Sequence, residues 1–324
     1  MGILAGIDEA GYGPHLGPLV VASAAIEFAA APLPDPDLWE SLAAHVCKRP
    51  SRGGTHVVIC DSKVAYTSGG SLKTLERTVL GFLAAAGHRP RTFSELLRAM
   101  AAPAGPGSNG SAPAPWEDPE ALRLPREAAP GEVDAAAGHL AAGLAAIGGR
   151  AAALRVSVAS AARFNDLVGS GRNKAGALFA LAADLLGEVL RRADGGPVHV
   201  VMDRHGGRRY YAQLLAGAFP MMPVEPIAET PGESRYRLAR GEAPAEITVR
   251  ERSESTSTAT ALASMAAKYV RELAMGQMNA YFRARVPGLR ATAGYGTDAW
   301  RFLDDIAAVR AAAGVPDAAI LRSR

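Results

Sequence analysis

The chain has 324 residues, of which 48% are hydrophobic and 21% charged, an ordinary composition for a globular protein with one large α/β domain or two modest ones. Its 35 basic and 32 acidic side chains give a net charge of +3, which permits a nucleic-acid partner without requiring one. Two cysteines exclude the dense disulfide framework of a small secreted domain.

The N-terminal residues predict a cytoplasmic protein. No basic segment precedes the first apolar residues, and Asp8 and Glu9 interrupt them too early for a signal peptide. Residues 16–33 are apolar, but Glu27, two prolines and the β-branched residues favour a buried strand over a membrane span. We therefore expect no membrane segment.

Hydrophobic patterns predict alternating strands and helices, which indicates an α/β fold without a repeat of fixed period. The predicted elements, in chain order, are strands over 2–8, 17–28 and 56–60, helices over 71–86 and 132–147, a strand over 153–158, a helix over 174–193, a strand over 197–203, short strands within 221–251, and helices over 257–285 and 298–313. Residues 101–119 are rich in Pro, Gly, Ser and Ala, which predicts a mobile surface insertion.

Acidic residues stand at the ends of two predicted strands. Asp8 ends the first, with Glu9 directly after it, and Asp203 ends the strand over 197–203. Side chains there project beyond the sheet, so these carboxylates converge if the strands are neighbours, and they then repel unless they share a proton or a hard cation such as Mg²⁺ or Mn²⁺. Most strand-terminal aspartates are turn residues or helix caps, but two adjacent acids are costly to bury without a cation. The combination favours a metal site.

A basic segment follows Asp203. Its residues Arg204, His205, Arg208 and Arg209 either neutralise nucleic-acid phosphates near the metal site or solvate a loop. A lone histidine is more often inert than catalytic, so His205 is not among the predicted catalytic residues.

The run IDEAGYGPHLGPLVV, residues 7–21, resembles the signature of ribonuclease HII. The resemblance implies that Asp8 and Glu9 are catalytic metal ligands. It also implies that Gly11 and Gly13 present backbone amides to the ribose 2′-hydroxyl, the group that distinguishes RNA from DNA. Tyr12, between them, is also expected to contact the nucleic acid, but it stands where the family has arginine, which removes a cation beside the substrate and keeps the backbone donors.

Further segments match the same family in the same order. CDSK at 60–63 is similar to its Asp-Ser-Lys and implies phosphate contacts from Ser62 and Lys63. VSVASAARFNDL at 156–167 is similar to the segment that carries an asparagine, which implies a nucleic-acid contact from Asn165. VVMD at 200–203 resembles the strand that supplies the third acid, Asp203.

The C-terminal third also resembles this family. ALASMAAKYVREL at 261–273 is similar to a family helix, and counting back from it assigns the fourth acid to Glu254, with Glu251 as a rival. GYGT at 294–297 resembles the turn whose tyrosine stacks near the ribonucleotide–deoxyribonucleotide junction, which assigns that role to Tyr295.

Several residues depart from the family pattern. Glu254 replaces an aspartate, Gly296 replaces a proline, and Trp300 stands where histidine is common. An added methylene can shift a metal ligand, and the added glycine loosens the turn that carries Tyr295. The segment between Lys63 and Val156 is longer than the resemblance predicts.

The resemblance implies a single ribonuclease H-like catalytic domain over residues 1–324, with a mixed β-sheet flanked by helices and a helical C-terminal part from about residue 257. It implies an endonuclease with two divalent ions, Mg²⁺ or Mn²⁺. This enzyme would cut the RNA strand of RNA/DNA hybrids, or cut at ribonucleotides in duplex DNA, and leave 5′-phosphates. Two alternatives stay open: a nucleic-acid-binding protein that has lost catalysis, and a nuclease specific for a DNA structure.

Overall fold

The computed structural model describes residues 1–30, 33–49, 54–66, 69–102, 114–241 and 243–323. The strands in these ranges are β1 Gly2–Ala10, β2 Leu19–Phe28, β3 Val46–Cys47, β4 Val57–Val58, β5 Gly149–Ala159, β6 Val198–Asp203, β7 Val224–Glu229, β8 Glu233–Leu238 and β9 Ala245–Arg250. The helices are α1 Ser62–Ala65, α2 Lys73–Ala85, α3 Phe93–Met100, α4 Pro130–Ala146, α5 Ala161–Gly169, α6 Lys174–Arg192, α7 Ala212–Ala218, α8 Thr258–Arg283, α9 Gly296–Asp305, α10 Ala307–Ala312 and α11 Asp317–Ile320, with a 3-10 turn at Ser253–Ser255.

The main sheet is mixed, with the strand order β5-β2-β1-β6-β9-β8-β7. At its centre, β1 runs antiparallel to β2 and parallel to β6, and β6 runs parallel to β9. Parallel neighbours end at the same edge of a sheet, so this arrangement puts the ends of β1 and β6 side by side. The predicted mixed sheet, flanked by helices and followed by a helical C-terminal part, is confirmed.

Both faces of β1 are buried, because its side chains alternate between two cores. Ile3, Ala5 and Ile7 pack with α6, whereas Leu4 packs with residues of α2 and α8. Burial on both faces explains why this strand is apolar at nearly every position instead of alternating with polar residues.

Helix α8 crosses β1 at Gly6 in unusually close contact. A Cβ atom at residue 6 would lie 2.0 Å from the backbone nitrogen of Thr260, so only glycine fits at this crossing. The Thr260 hydroxyl donates to the carbonyl of Val201 on β6, 2.9 Å away. The start of α8 is therefore fixed against the two strands that carry the acids.

Some predicted elements differ from those observed. β1 extends to Ala10 and so includes Asp8 and Glu9, and the predicted strand over 56–60 is a two-residue strand that pairs with β3 in a separate sheet. The helix predicted over 298–313 is divided at Ile306 into α9 and α10.

The predicted insertion over 101–119 falls largely on residues 103–113, which lie outside the described residues. Beside them, Trp116 is half-buried, and its ring lies 5.5 Å from that of Phe282. In the described part of the chain, no helix has the length and apolar character needed to cross a membrane.

Candidate active site

Three carboxylates meet at one edge of the main sheet. Asp8 and Glu9 lie near the end of β1, and Asp203 is the last residue of the parallel neighbour β6. One oxygen from each side chain lies within 4.8 Å of the others. The strand ends thus bring together the three acids that the sequence pattern singled out.

Burial and mutual repulsion both disfavour the charged forms of these acids. The pKa of Asp8 is raised well above its usual value, first by burial and then by the charges of Glu9 and Asp203. Burial and the charge of Asp203 raise the pKa of Glu9 to about 8, although the nearby Lys63 opposes this shift. The pKa of Asp203 is also raised by burial. The cluster therefore needs added positive charge to be fully ionised near neutral pH.

Two serines that the sequence analysis did not single out orient the aspartates. The backbone N–H and the hydroxyl of Ser253 donate to Asp203 Oδ1 at 3.1 and 3.2 Å. On α8, Ser264 hydrogen-bonds to Asp8, and its hydroxyl lies 3.0 Å from that of Ser62. Ser264 falls within the helix segment that resembled ribonuclease HII, which was the available signal for it, whereas Ser253 carried none.

Glu254 lies beside this cluster in the 3-10 turn. Burial raises the pKa of Glu254, and the charge of Asp203 raises it further, while the charge of Glu254 in turn raises the pKa of Glu9. Glu254 is not part of the group whose oxygens converge within 4.8 Å. It therefore faces the three acids from a greater distance.

The rival acid Glu251 points to a different partner. Its exposed carboxylate accepts a hydrogen bond from Arg204 Nη1 at 2.8 Å, and this arginine is itself buried. Arg204 also donates to the carbonyl of Pro231. Glu251 therefore neutralises a buried arginine, which leaves Glu254 as the acid directed at the cluster.

The CDSK segment approaches the cluster from α1. Lys63 is exposed, and its charge lowers the pKa of Glu9. Ser62 is buried, and its hydroxyl contacts Ser264 behind Asp8. Lys63 is thus available to a phosphate, whereas Ser62 supports the residue that holds Asp8.

The loop after β1 depends on glycine. Gly11 has a φ of +90°, and a Cβ there would lie 2.5 Å from Arg271 Nε on α8. A Cβ on Gly13 would lie 3.7 Å from the Tyr295 ring, so this ring stands beside the loop. Tyr12, between the two glycines, is partly buried, and its hydroxyl faces Gly206.

Contacts with the 292–296 turn hold this loop. The backbone N–H of His15 donates to the carbonyl of Gly294 at 2.8 Å, and buried Arg271 donates to the carbonyl of Ala293 at 3.0 Å. The Arg271 guanidinium lies 5.7 Å from the centre of the Tyr295 ring, which is half-exposed. Gly13 and Tyr295 therefore lie side by side on the surface, and buried Gly11 packs against Arg271 beneath them.

The Asn165 amide binds the C-terminal segment of the chain. Its Nδ2 donates to the carbonyl of Leu321 at 2.9 Å, and its Oδ1 accepts from the backbone N–H of Ser323 at 2.7 Å. The C-terminal segment also pairs with the glycine loop through a bridge between Leu16 and Leu321. Asn165 therefore fixes this segment, and we do not include it in the proposed nucleic-acid interface.

His205 is a buried core residue. It is 1% exposed and packs edge-on against the rings of Phe179 and Tyr211. Burial lowers the pKa of this imidazole to about 3, so it is neutral near pH 7 and has no access to a solvent-exposed substrate.

The donor set fits hard divalent cations. Carboxylate oxygens are the ligands that Mg²⁺ and Mn²⁺ prefer, and Asp8, Glu9 and Asp203 supply one each within bridging reach. Among the described residues, none of these three carboxylates forms an ion pair with a basic side chain. A bound cation would therefore supply the charge that the cluster lacks.

Comparison with solved structures gives distant similarities to ribonucleases H. Ribonuclease HII of Archaeoglobus fulgidus, solved in complex with PCNA, is 15% identical with a TM-score of 0.44, over 99% of this chain and 94% of that one. Ribonuclease H2 of Pyrococcus horikoshii is 12% identical with a TM-score of 0.44, over 98% and 92%. The Mn²⁺ complex of Bst-RNase HIII is 16% identical with a TM-score of 0.39, over 93% and 62%. No family model and no curated protein matches the sequence.

Proposed function

We propose that this protein is a metal-dependent nuclease of the ribonuclease H kind. Its substrate would be the RNA strand of an RNA/DNA hybrid, or a ribonucleotide embedded in duplex DNA, and its products would carry 5′-phosphates. The observation that carries this proposal is the convergence of Asp8, Glu9 and Asp203 within 4.8 Å, with no ion pair to a basic side chain among the described residues. Such a cluster is costly to keep ionised unless divalent ions occupy it.

The carboxylates of this cluster would bind two divalent ions. Asp8, Glu9 and Asp203 would hold them, and Glu254, whose charge acts on Glu9, would complete the ligand set. Bound Mg²⁺ or Mn²⁺ would supply positive charge that activates water and stabilises the leaving oxygen. Ser264 keeps Asp8 oriented, and Lys63 would bind a phosphate beside the cluster.

Recognition of the ribose would fall to the glycine loop. Gly11 and Gly13 lack side chains, so backbone amides of this loop can approach a 2′-hydroxyl. Tyr295 is half-exposed next to Gly13 and would stack on the adjacent sugar or base. These donors belong to the backbone, so they do not depend on the arginine that Tyr12 replaces.

The proposal is tested with end-labelled substrates: an RNA/DNA hybrid, the matched DNA duplex and the single-stranded RNA, each with Mg²⁺, Mn²⁺ or EDTA. We expect metal-dependent cleavage of the RNA in the hybrid alone, and no cleavage by Asp8→Asn or Asp203→Asn. Equal cleavage of the DNA duplex would instead indicate a DNA nuclease. Binding of the hybrid without cleavage in either metal would indicate a protein that has lost catalysis.

A further inference from the structure

Three of the seven histidines lie together away from the acids, between the small β3–β4 sheet and α4. His45 precedes β3 and His56 precedes β4, and the backbone N–H of Val57 donates to the carbonyl of His45 at 2.9 Å. His139 lies on α4. The proposed nuclease function uses none of these half-buried imidazoles.

Two of them have the spacing of neighbouring metal ligands. His45 Nδ1 and His139 Nδ1 are 3.3 Å apart. In a tetrahedral zinc site with Zn–N bonds of about 2.0–2.1 Å, adjacent ligand nitrogens lie about 3.3–3.4 Å apart. Without a metal ion this contact is a hydrogen bond between the two rings, and its length matches one edge of such a tetrahedron.

A glycine permits this approach. Gly143 follows His139 by one helical turn, and a Cβ there would lie 3.1 Å from the Cβ of His45, closer than ordinary packing allows. The missing side chain lets the His45 ring rest against α4 beside His139. A larger residue at position 143 would push the two imidazoles apart.

His56 is the candidate third ligand. Its ring is stacked on that of His139, with ring centres 6.3 Å apart. The three imidazoles do not converge as tightly as the three acids, so the His56 side chain must rotate to join the other two. Two or three histidines with water in the remaining positions are an ordinary zinc ligand set.

We propose that His45 and His139, with His56 as the third ligand, bind a transition-metal ion of the zinc class. The ion would join the β3–β4 sheet to α4. Because β4 is followed within a few residues by α1, it would also stabilise the segment that carries Lys63 to the acidic cluster. Imidazole nitrogens favour zinc, whereas the carboxylates favour Mg²⁺, so each site would select its own metal.

The test is zinc titration by calorimetry of the whole protein in excess Mg²⁺, which would compete with zinc for the carboxylate site. We expect the wild-type protein to bind zinc and to melt at a higher temperature with it. His139→Ala and His45→Ala should lose this binding and this shift, and His56→Ala should weaken both. His88→Ala is the matched control, because His88 is exposed on a loop outside the cluster, and it should behave as wild type.

His139 is the decisive position, because it is half-exposed on a helix surface, where alanine keeps the fold. Melting of each variant without metal checks that the fold is kept. Visible absorption of bound Co²⁺ adds a second measurement, with the tetrahedral bands expected in wild type and absent in His139→Ala. The proposal is overturned if His139→Ala binds zinc as wild type does, or if wild type binds none in excess Mg²⁺. Unchanged binding by His56→Ala would remove His56 from the ligand set.

Discussion

Asp8 is the residue at which burial and charge conflict most strongly. It is 7% exposed, lies next to two other carboxylates and has a raised pKa because of both. The sequence pattern could predict this conflict, since Asp8 and Glu9 directly continue an apolar strand. Hydrophobic periodicity could not predict Ser264, because a single short donor on a helix leaves no periodic signal, and only the resemblance of the 261–273 segment pointed to it.

Asp8→Asn should separate stability from activity. Without metal, the neutral amide removes the repulsion between carboxylates, so we expect the free energy of unfolding in urea with EDTA to rise by about 1 kcal/mol. Added Mg²⁺ should stabilise the wild-type protein more than the variant, and hydrolysis by the variant should fall below detection. Equal destabilisation of the variant with and without Mg²⁺ would show that Asp8 has a purely structural role.

The raised pKa of Glu9 should make the stability of the metal-free protein depend on pH. The pKa of Glu9 rises from 4.5 in the unfolded chain to about 8 in the folded protein, so folding favours the protonated carboxyl. The contribution of Glu9 to stability is therefore complete below pH 4.5 and is lost as the pH rises to 8. We expect a loss of about 1 kcal/mol per pH unit on the upper part of this range. Urea unfolding in EDTA at pH 6.5 and pH 8 measures it, and Glu9→Gln should remove the slope. A slope of the same size in Glu9→Gln would assign it to other groups.

Glu254 and Glu251 form a matched pair for testing the fourth acid. Glu254 raises the pKa of Glu9, whereas Glu251 is paired with Arg204. Glu254→Gln should lower metal-dependent cleavage by at least about tenfold, whereas Glu251→Gln should change it little. The reverse order of effects, measured at saturating Mg²⁺, would assign the fourth ligand to Glu251.

At the scale of elements, the contact between α8 and β1 determines where the acids lie. Gly6→Ala would place a methyl group 2.0 Å from a backbone nitrogen, so we expect a loss of at least about 3 kcal/mol in the free energy of unfolding. Gly138→Ala is the matched control, because position 138 is exposed within α4 and a Cβ there meets nothing within 4 Å. It should gain about 0.5–1 kcal/mol. Similar urea midpoints for Gly6→Ala and wild type would mean that α8 can move away from β1.

Helices and strands with a clear hydrophobic pattern were predictable from the sequence, and those that form only through contacts with distant residues were not. The long apolar faces of α6 and α8 and the apolar runs of β1 and β6 were found close to their observed bounds. The strand β3 was not, because two residues carry no pattern and pair only through contact with β4. The division at Ile306 was also missed, because the hydrophobic period continues across it.

At the scale of the whole molecule, the site is assembled from distant parts of the chain. Asp8, Asp203 and Ser264 come from β1, β6 and α8, and spacing along the sequence cannot determine whether such elements are neighbours. The order of motifs shared with ribonuclease HII supplied the grouping of acids. It did not indicate that the Asn165 amide binds the C-terminal segment.

In the proposed function, the acids at the ends of β1 and β6 hydrolyse nucleic acid at a ribonucleotide chosen by the glycine loop. The most direct measurement incubates the protein and Mg²⁺ or Mn²⁺ with a DNA duplex that contains a single ribonucleotide and with an all-DNA duplex, and identifies the ends produced. We predict metal-dependent incision at the ribonucleotide, with 5′-phosphate and 3′-hydroxyl ends and no incision by Asp8→Asn. Incision of both duplexes alike, or incision that survives in Asp8→Asn, would contradict the account.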